Sequence, residues 1–224
     1  MSVNVMICAY RDWAIDVYAF LANNEIFRDH FTFQLIQSQE QLLQLPSSET
    51  DNSIMICIGW SWKIPRELTN KIRVYGVHPS DLPNFAGGSP IQHQVLSGIH
   101  KTKLTLFRFN DEIDSGPIVL KIDLSLTGGI QEIFMSLKES SITLLSAFLV
   151  LYPAHREIVQ EAEAPTRKRI RPKESELSVS QLGTFTAREL YDFIRCREDP
   201  YPNAYIRDAT GCLFFKKVRF EENS

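Results

Sequence analysis

The 224-residue sequence lacks most of the signals that announce common enzyme chemistries. Its four cysteines, Cys8, Cys57, Cys196 and Cys212, form no C-x-x-C pair, and the first two sit in apolar runs. Buried, reduced thiols are the reading this usage supports. His78, His93 and His100 have neither an H-E-x-x-H context nor a neighbouring cysteine, so no catalytic metal is expected. The absence of G-x-S-x-G disfavours a serine hydrolase, and the absence of G-x-G-x-x-G removes the dinucleotide fingerprint. Formal charge is −3, so no global basic field argues for nucleic acid. The longest apolar stretch, Ile142 to Leu151, falls far short of the ~20 residues of a membrane span. The opening M-S-V-N-V-M-I-C-A-Y has no basic flank and is too short for a signal h-region. The expectation is a cytoplasmic protein without membrane insertion.

What is present is ordinary in bulk, with 44% hydrophobic and 23% charged residues, and ordered in detail. Short apolar runs at Val3 to Cys8, Phe31 to Ile36, Ile54 to Ile58 and Ile72 to Tyr75 read as strands. Helical patterns at Trp13 to Leu21, Gln39 to Leu45 and Pro65 to Asn70 separate them, with Asp12 as a cap for the first. Ser47 to Ser53 reads as a polar surface loop. Two further strands follow at Thr102 to Phe109 and Ile118 to Leu124, then the longest helical pattern, Gln131 to Leu151. The alternation predicts an α/β fold: a Rossmann-like, mostly parallel sheet flanked by helices.

After Ala154 the composition shifts. Glu157, Glu161 and Glu163 precede Arg167, Lys168, Arg169, Arg171 and Lys173, which reads as a helix end and a solvated, charged connector. T-A-R-E at 186–189 has capping-box spacing and starts a helix to Arg195, followed by a closing hairpin from Ile206 to Phe220. The chain thus divides into a catalytic domain (1–155), the connector (156–180) and a small C-terminal helix plus β-hairpin extension (181–224).

The most informative stretch is Y-G-V-H-P-S-D-L-P-N-F-A-G-G-S-P-I-Q, residues 75–92. A residue before proline is pushed to extended geometry, so His78 is expected at a strand end, where α/β folds gather ligands. Asp114 follows 36 residues later, room for one helix and one strand, which would set both residues at carboxyl ends of strands. Acyl transfer to an amine needs an oxyanion stabiliser, a base and an aligned donor, and this pair can supply the first two. Arg11, on the first loop, either meets a phosphate or is solvated. G-W-S-W-K-I-P at 59–65 is either a wall for a flat ligand or tryptophans packed on the core edge.

H-P-S-D-L-P-N-F-A-G-G-S-P-I-Q (78–92), S-G (97–98), D-S-G-P-I (114–118) and I-R-C-R-E-D-P-Y-P-N-A-Y (194–205) together resemble the N10-formyltetrahydrofolate-dependent formyltransferases. That family includes methionyl-tRNA, glycinamide ribonucleotide and sugar-nucleotide enzymes. A-Y-R-D-W and G-W-S-W look most like the sugar-nucleotide branch. The resemblance implies His78 and Asp114 as catalytic residues and a folate co-substrate with no metal. It also exposes a departure: the family's asparagine, two residues before the histidine, is Gly76 here. A backbone N–H, a water, Ser80 or Gln92 would then have to serve the oxyanion.

By the same resemblance the pterin lies along Trp60, Ser61, Trp62, Lys63 and Ile64 and along Phe109, Asn110, Asp111 and Ile113. The acceptor is expected on the side of Tyr10 and Arg11, across Ser80, Gly87, Gly88, Ser89, Pro90 and Gln92. Tyr201 or Tyr205 would stack on its base, with core packing of both as the alternative. The implied acceptor is a nucleotide-linked amino-dideoxysugar, such as a dTDP-linked 4-amino-4,6-dideoxyhexose, used in O-antigen and lipopolysaccharide biosynthesis. The aromatic hairpin suggests a homodimer. Two other expectations stand beside this one: a methionyl-tRNA formyltransferase-like enzyme, whose branch carries a longer C-terminal barrel, and a non-catalytic folate- or nucleotide-binding module, suggested by Gly76.

Overall fold

The apolar runs assemble into a six-stranded sheet in the computed structural model, which describes residues 2–46, 52–161 and 165–223. Residues 47–51 of the expected polar loop, and Glu163 of the charged run, lie outside the described residues; Ser53 is already the first residue of a strand. Strands β1 (Val3–Cys8), β2 (Phe31–Ile36), β3 (Ser53–Ile58) and β4 (Arg73–His78) are parallel, and β5 (Lys101–Arg108) and β6 (Ile118–Ser125) are antiparallel, in the order β2-β1-β3-β4-β5-β6. β3 is buried at every position, as a central parallel strand covered on both faces must be. The chain leaves β1 toward one edge and resumes at β3 toward the other. The loops after β1 and β3 therefore diverge, opening the crevice where such folds bind ligands.

Helices α1 (Asp12–Asn23) and α5 (Ile130–Leu151) pack side by side on one face. Arg11, not Asp12, is the N-cap of α1, and the Asp12 carboxylate sits in its first turn beside the positive helix end. α5 is the one helix among the described residues long and apolar enough to cross a membrane by length and composition. Its stripe Ile130, Ile133, Phe134, Leu137, Leu144, Leu145 and Phe148 is buried against Val17 and Leu21 of α1 and the sheet, which makes it the core helix of the domain. Short helices α2 (Gln39–Leu43), α3 (Arg66–Thr69) and α4 (Pro90–Leu96) fill the remaining crossovers.

The stretch 156–180 departs from expectation. α5 ends at Leu151, so no helix end falls there, and the segment, exposed along most of its described length, is tied to the rest of the chain by its backbone. Ile158 pairs with Ile118 at the start of β6, and Arg167 pairs with Gly87. A 3-10 turn (Pro172–Ser175) and α6 (Val179–Leu182) lead to α7 (Ala187–Arg195) and the hairpin β7 (Ala204–Arg207) and β8 (Cys212–Phe215). Thr186 caps α7 as its spacing predicts: its hydroxyl accepts from the Glu189 N–H while the Glu189 carboxylate accepts from the Thr186 N–H. Leu177, Phe193, Ile194 and Ala204 give this extension its own small core. Arg195 ties it to the sheet, donating to the carbonyls of Leu126 and Gly128.

Candidate active site

His78 ends β4 and is 7% exposed. Its Nε2 lies 3.0 Å from the Phe85 carbonyl oxygen, which can only accept, so Nε2 carries a hydrogen. Nδ1 stands 3.4 Å from Asp114 Oδ2. The two side chains are thus within ion-pair distance, and the arrangement sets a carboxylate that can take a proton beside an imidazole that can stabilise an oxyanion.

The backbone around the pair is held in unusual conformations. Phe85, Gly87, Ser89 and Asp114 have φ of 57°, 97°, 52° and 54°, the left-handed region that costs a non-glycine residue ~1–2 kcal/mol. Gly87 donates its N–H to Asp114 Oδ2 at 2.7 Å, which welds the histidine loop to the aspartate loop. β5 runs antiparallel, so its carboxyl end is not at the carboxyl end of β4 as expected. The segment between β5 and β6 must turn back for Asp114 to reach His78.

Gly76 has a steric explanation. A Cβ there would stand 2.5 Å from the Phe109 ring and 2.7 Å from that of Phe107. These two rings stack at 5.4 Å between centroids and occupy the space that a side chain at 76 would need. The substitutes considered for the missing amide do not fit equally. Ser80 is fully buried, donates its hydroxyl to the Asn84 carbonyl at 2.6 Å, and accepts at its own carbonyl from Thr105. Both of its polar groups are thus engaged within the protein. Gln92 is 4% exposed and lines a cavity of about 30 Å³ with Ser89, Arg197 and Tyr201, room for water and not for a base.

The other residues expected to meet ligands have these surroundings. Gly87 and Gly88 lie under residues 167–169, where a Cβ would come within 2.4 Å of the Arg167 carbonyl oxygen and 2.6 Å of the Arg169 nitrogen. The Ser89 hydroxyl accepts from the Ile170 N–H, and Pro90 is the first residue of α4. Tyr205 belongs to the hairpin, donating to Glu176 at 2.8 Å and packing on Phe214. Ile64 is 5% exposed in the core beneath the crevice. The Asn110 side-chain oxygen accepts from the Glu112 N–H and the Ser115 hydroxyl, which shapes the loop, and Asp111 pairs with Arg66 at the surface. Lys63 and Ile113 are exposed.

The crevice itself gathers Tyr10, Trp60, Ser61 and Trp62. Tyr10 and Trp62 rings are 4.6 Å apart, Trp60 and Trp62 are 4.7 Å apart, and the Tyr10 hydroxyl meets Ser61 Oγ at 2.7 Å. Trp60 Nε1 is buried without a hydrogen-bond partner. The Arg11 guanidinium lies 5.3 Å from the Tyr10 ring and 5.4 Å from the Tyr201 ring. Burial pushes the Tyr201 phenol above its ordinary pKa, with Arg11 pulling the other way. Arg169 reaches Ser61 Oγ at 3.4 Å from the far side. Neither arginine is paired with a carboxylate among the described residues. The basic run thus places one arginine at the mouth of the crevice.

Sequence reasoning missed the Phe85 carbonyl, the Phe107 ring and Gln160, whose amide holds the aspartate loop. Paired glycines at 87–88 were the available signal, since two adjacent residues without Cβ announce a close backbone approach.

Comparison with known proteins places this architecture. The formyl transferase family matches residues 20–132, half of the chain. A methionyl-tRNA formyltransferase of Thermosipho melanesiensis is 29% identical over 185 residues, 81% of this chain and 56% of the relative. The chain thus spans about half the length of that curated relative. The solved structure of a methionyl-tRNA formyltransferase from Clostridium thermocellum superposes with a TM-score of 0.86 at 27% identity, covering 98% of this chain and 94% of the other. A sugar N-formyltransferase from a Shewanella species has a TM-score of 0.77 over 99% of both chains at 15% identity, a likeness of fold. The matched family and the architecture agree: the chain belongs to the formyl transferase family.

Proposed function

We propose that the protein moves the formyl group of N10-formyltetrahydrofolate to an amine carried on a nucleotide, and that the acceptor is a nucleotide-linked amino-dideoxysugar. The observation that carries the reading is the His78–Asp114 pair, largely buried and within ion-pair distance, flanked by residues held in left-handed turns. The neutral amine attacks the formyl carbon and a C–N bond forms. His78, as imidazolium, stabilises the oxyanion. Asp114 accepts the amine proton, directly or through water. The bond from the formyl carbon to N10 then breaks, N10 takes up a proton, and tetrahydrofolate leaves.

The residues fit a flat, polar donor. Tyr10, Trp60 and Trp62 offer aromatic faces, and Trp60 Nε1 is a buried donor in want of an acceptor. The acceptor phosphates fall to Arg11 and Arg169, and its base to the half-buried ring of Tyr201 beside Arg11. Leu213 and Phe214, 62% and 55% exposed on β8, supply the apolar face on which a second copy docks. On this reading the enzyme works in the cytoplasm and supplies formylated sugars for surface polysaccharide such as O-antigen.

A second reading, methionyl-tRNA as acceptor, is favoured by the names of the relatives most similar in sequence. Against it stands charge: a tRNA ligand calls for a broad basic surface, and this chain carries a net −3. The test is incubation with N10-formyltetrahydrofolate and, separately, dTDP-, GDP- and UDP-linked aminosugars and methionyl-tRNA, with products read by mass. Formylation of tRNA alone, with binding that weakens steeply across a salt series, would replace the sugar reading. Bound folate with no transfer to any acceptor would leave a binding module.

A further inference from the structure

Residues 155–160 have no regular secondary structure, yet they are anchored repeatedly. His155 Nε2 meets the Tyr75 hydroxyl at 3.3 Å, and Glu157 pairs with Arg108 at 3.3 Å. Ile158 exchanges both backbone hydrogen bonds with Ile118 at 2.8 Å. The run ends on Gln160, whose Nε2 donates to the Asp114 carbonyl at 2.9 Å and to the Gly116 carbonyl at 2.7 Å. Both partners are acceptors, so the amide orientation is dictated by chemistry. Its Oε1 is buried without a partner, so those two contacts are all that the amide makes.

The turn that Gln160 grips is the one that aims Asp114. Asp114 is left-handed at φ 54°, and Gly116 has no room for a Cβ, which would lie on the Arg108 carbonyl oxygen. The two carbonyls flank Ser115, and one NH₂ group spans them. Loss of that span frees the turn to relax toward ordinary φ, carrying the Asp114 carboxylate away from His78 and the Gly87 N–H.

We infer that Gln160 is a positioning residue: its side-chain amide holds Asp114 in the strained turn that faces it to His78. The kinetic part of the test rests on the formyl-transfer reading. Gln160→Met keeps the volume and removes both donors. We expect kcat to fall ~10²-fold, as a displacement of about 1 Å does at a reacting pair, with the donor KM within about threefold. Gln160→Glu sets a carboxylate against two carbonyl oxygens, which raises its pKa and favours the protonated form. Protonation restores one donor, so the deficit of Gln160→Glu relative to the parent narrows from about pH 8 to about pH 6, while that of Gln160→Met stays constant. A kcat within about threefold of the parent for both variants overturns the inference, as does a deficit in Gln160→Glu that ignores pH.

A second measurement needs no turnover. In ¹⁵N-histidine NMR spectra the His78 ring signals of Gln160→Met should move toward those of Asp114→Asn. Coincidence of the Gln160→Met and parent signals overturns the inference, whether or not the parent proves to transfer formyl groups.

Discussion

Asp192 and Arg195 meet at 2.6 Å one turn apart on α7, and every remaining arm of the guanidinium is used: Leu126 O, Gly128 O and His100 Nδ1. His78, at the end of β4, and Asp114, on the loop after β5, stand 3.4 Å apart, and four residues of the adjoining loops are left-handed. Both pairs are largely buried. The first uses every nitrogen of its guanidinium and lies in regular helix. The second keeps a long contact and a strained backbone that neighbours must restrain. Saturation marks a group that holds the fold together; partial satisfaction under restraint marks a group with work left to do.

The comparison can be broken most sharply at the unsaturated pair. His78→Ala and Asp114→Ala should each lower turnover by ~10³-fold or more, with thermal midpoints near the parent. A matching loss of stability would show that this pair, too, is structural. Arg195→Met should do the reverse. It strands Asp192 as a buried, unpaired carboxylate and should cost ~3–5 kcal/mol, a drop of roughly 10 °C in Tm by scanning calorimetry, with turnover per folded molecule unchanged.

Gly76→Asn tests the space between the two extremes. With the Phe107 and Phe109 rings in place the new side chain overpacks, so ~1–3 kcal/mol of stability and no gain in kcat are expected. Adding Phe109→Ala makes room, and the double variant should then exceed Phe109→Ala alone in kcat. The smallest effect is at Thr186→Ala, which opens the α7 capping box and should lower Tm by about 2–4 °C. The Thr186 backbone N–H holds the Glu189 carboxyl below its ordinary pKa. A group depressed in the folded state stabilises above its unfolded pKa of about 4.3, and that contribution disappears as pH falls through the lower folded value. Alanine keeps that backbone N–H, so both proteins should lose this increment in strong acid, while most of the Thr186→Ala deficit, which rests on the hydroxyl that accepts from the Glu189 N–H, should persist there.

Those contrasts also divide what was legible in the sequence from what was not. Runs of one character, such as Ser53–Ile58, and local spacings, such as Thr186 to Glu189, announced their structures because the physics that forms them acts within a few residues. His78 could be set at a strand end from Pro79 alone. Asp114 could be paired with it only through resemblance, since β5 turned out antiparallel and the approach depends on a loop folding back. The reason for Gly76 lies in Phe107 and Phe109, across the sheet, and the role of Gln160 in a turn 46 residues earlier. The charged run at 167–171 reads as solvated by composition. Its side chains are indeed exposed, but its backbone is docked because Gly87 and Gly88 leave a backbone-sized groove for it.

The central claim, that His78 and Asp114 perform formyl transfer to a nucleotide-borne amine, is tested most directly by mass spectrometry of the acceptor. The parent and Asp114→Ala are incubated side by side with N10-formyltetrahydrofolate and the aminosugar nucleotides. The account predicts a formylated aminosugar nucleotide from the parent and none from Asp114→Ala. Equal product from both, or bound folate with no product from the parent, would contradict it.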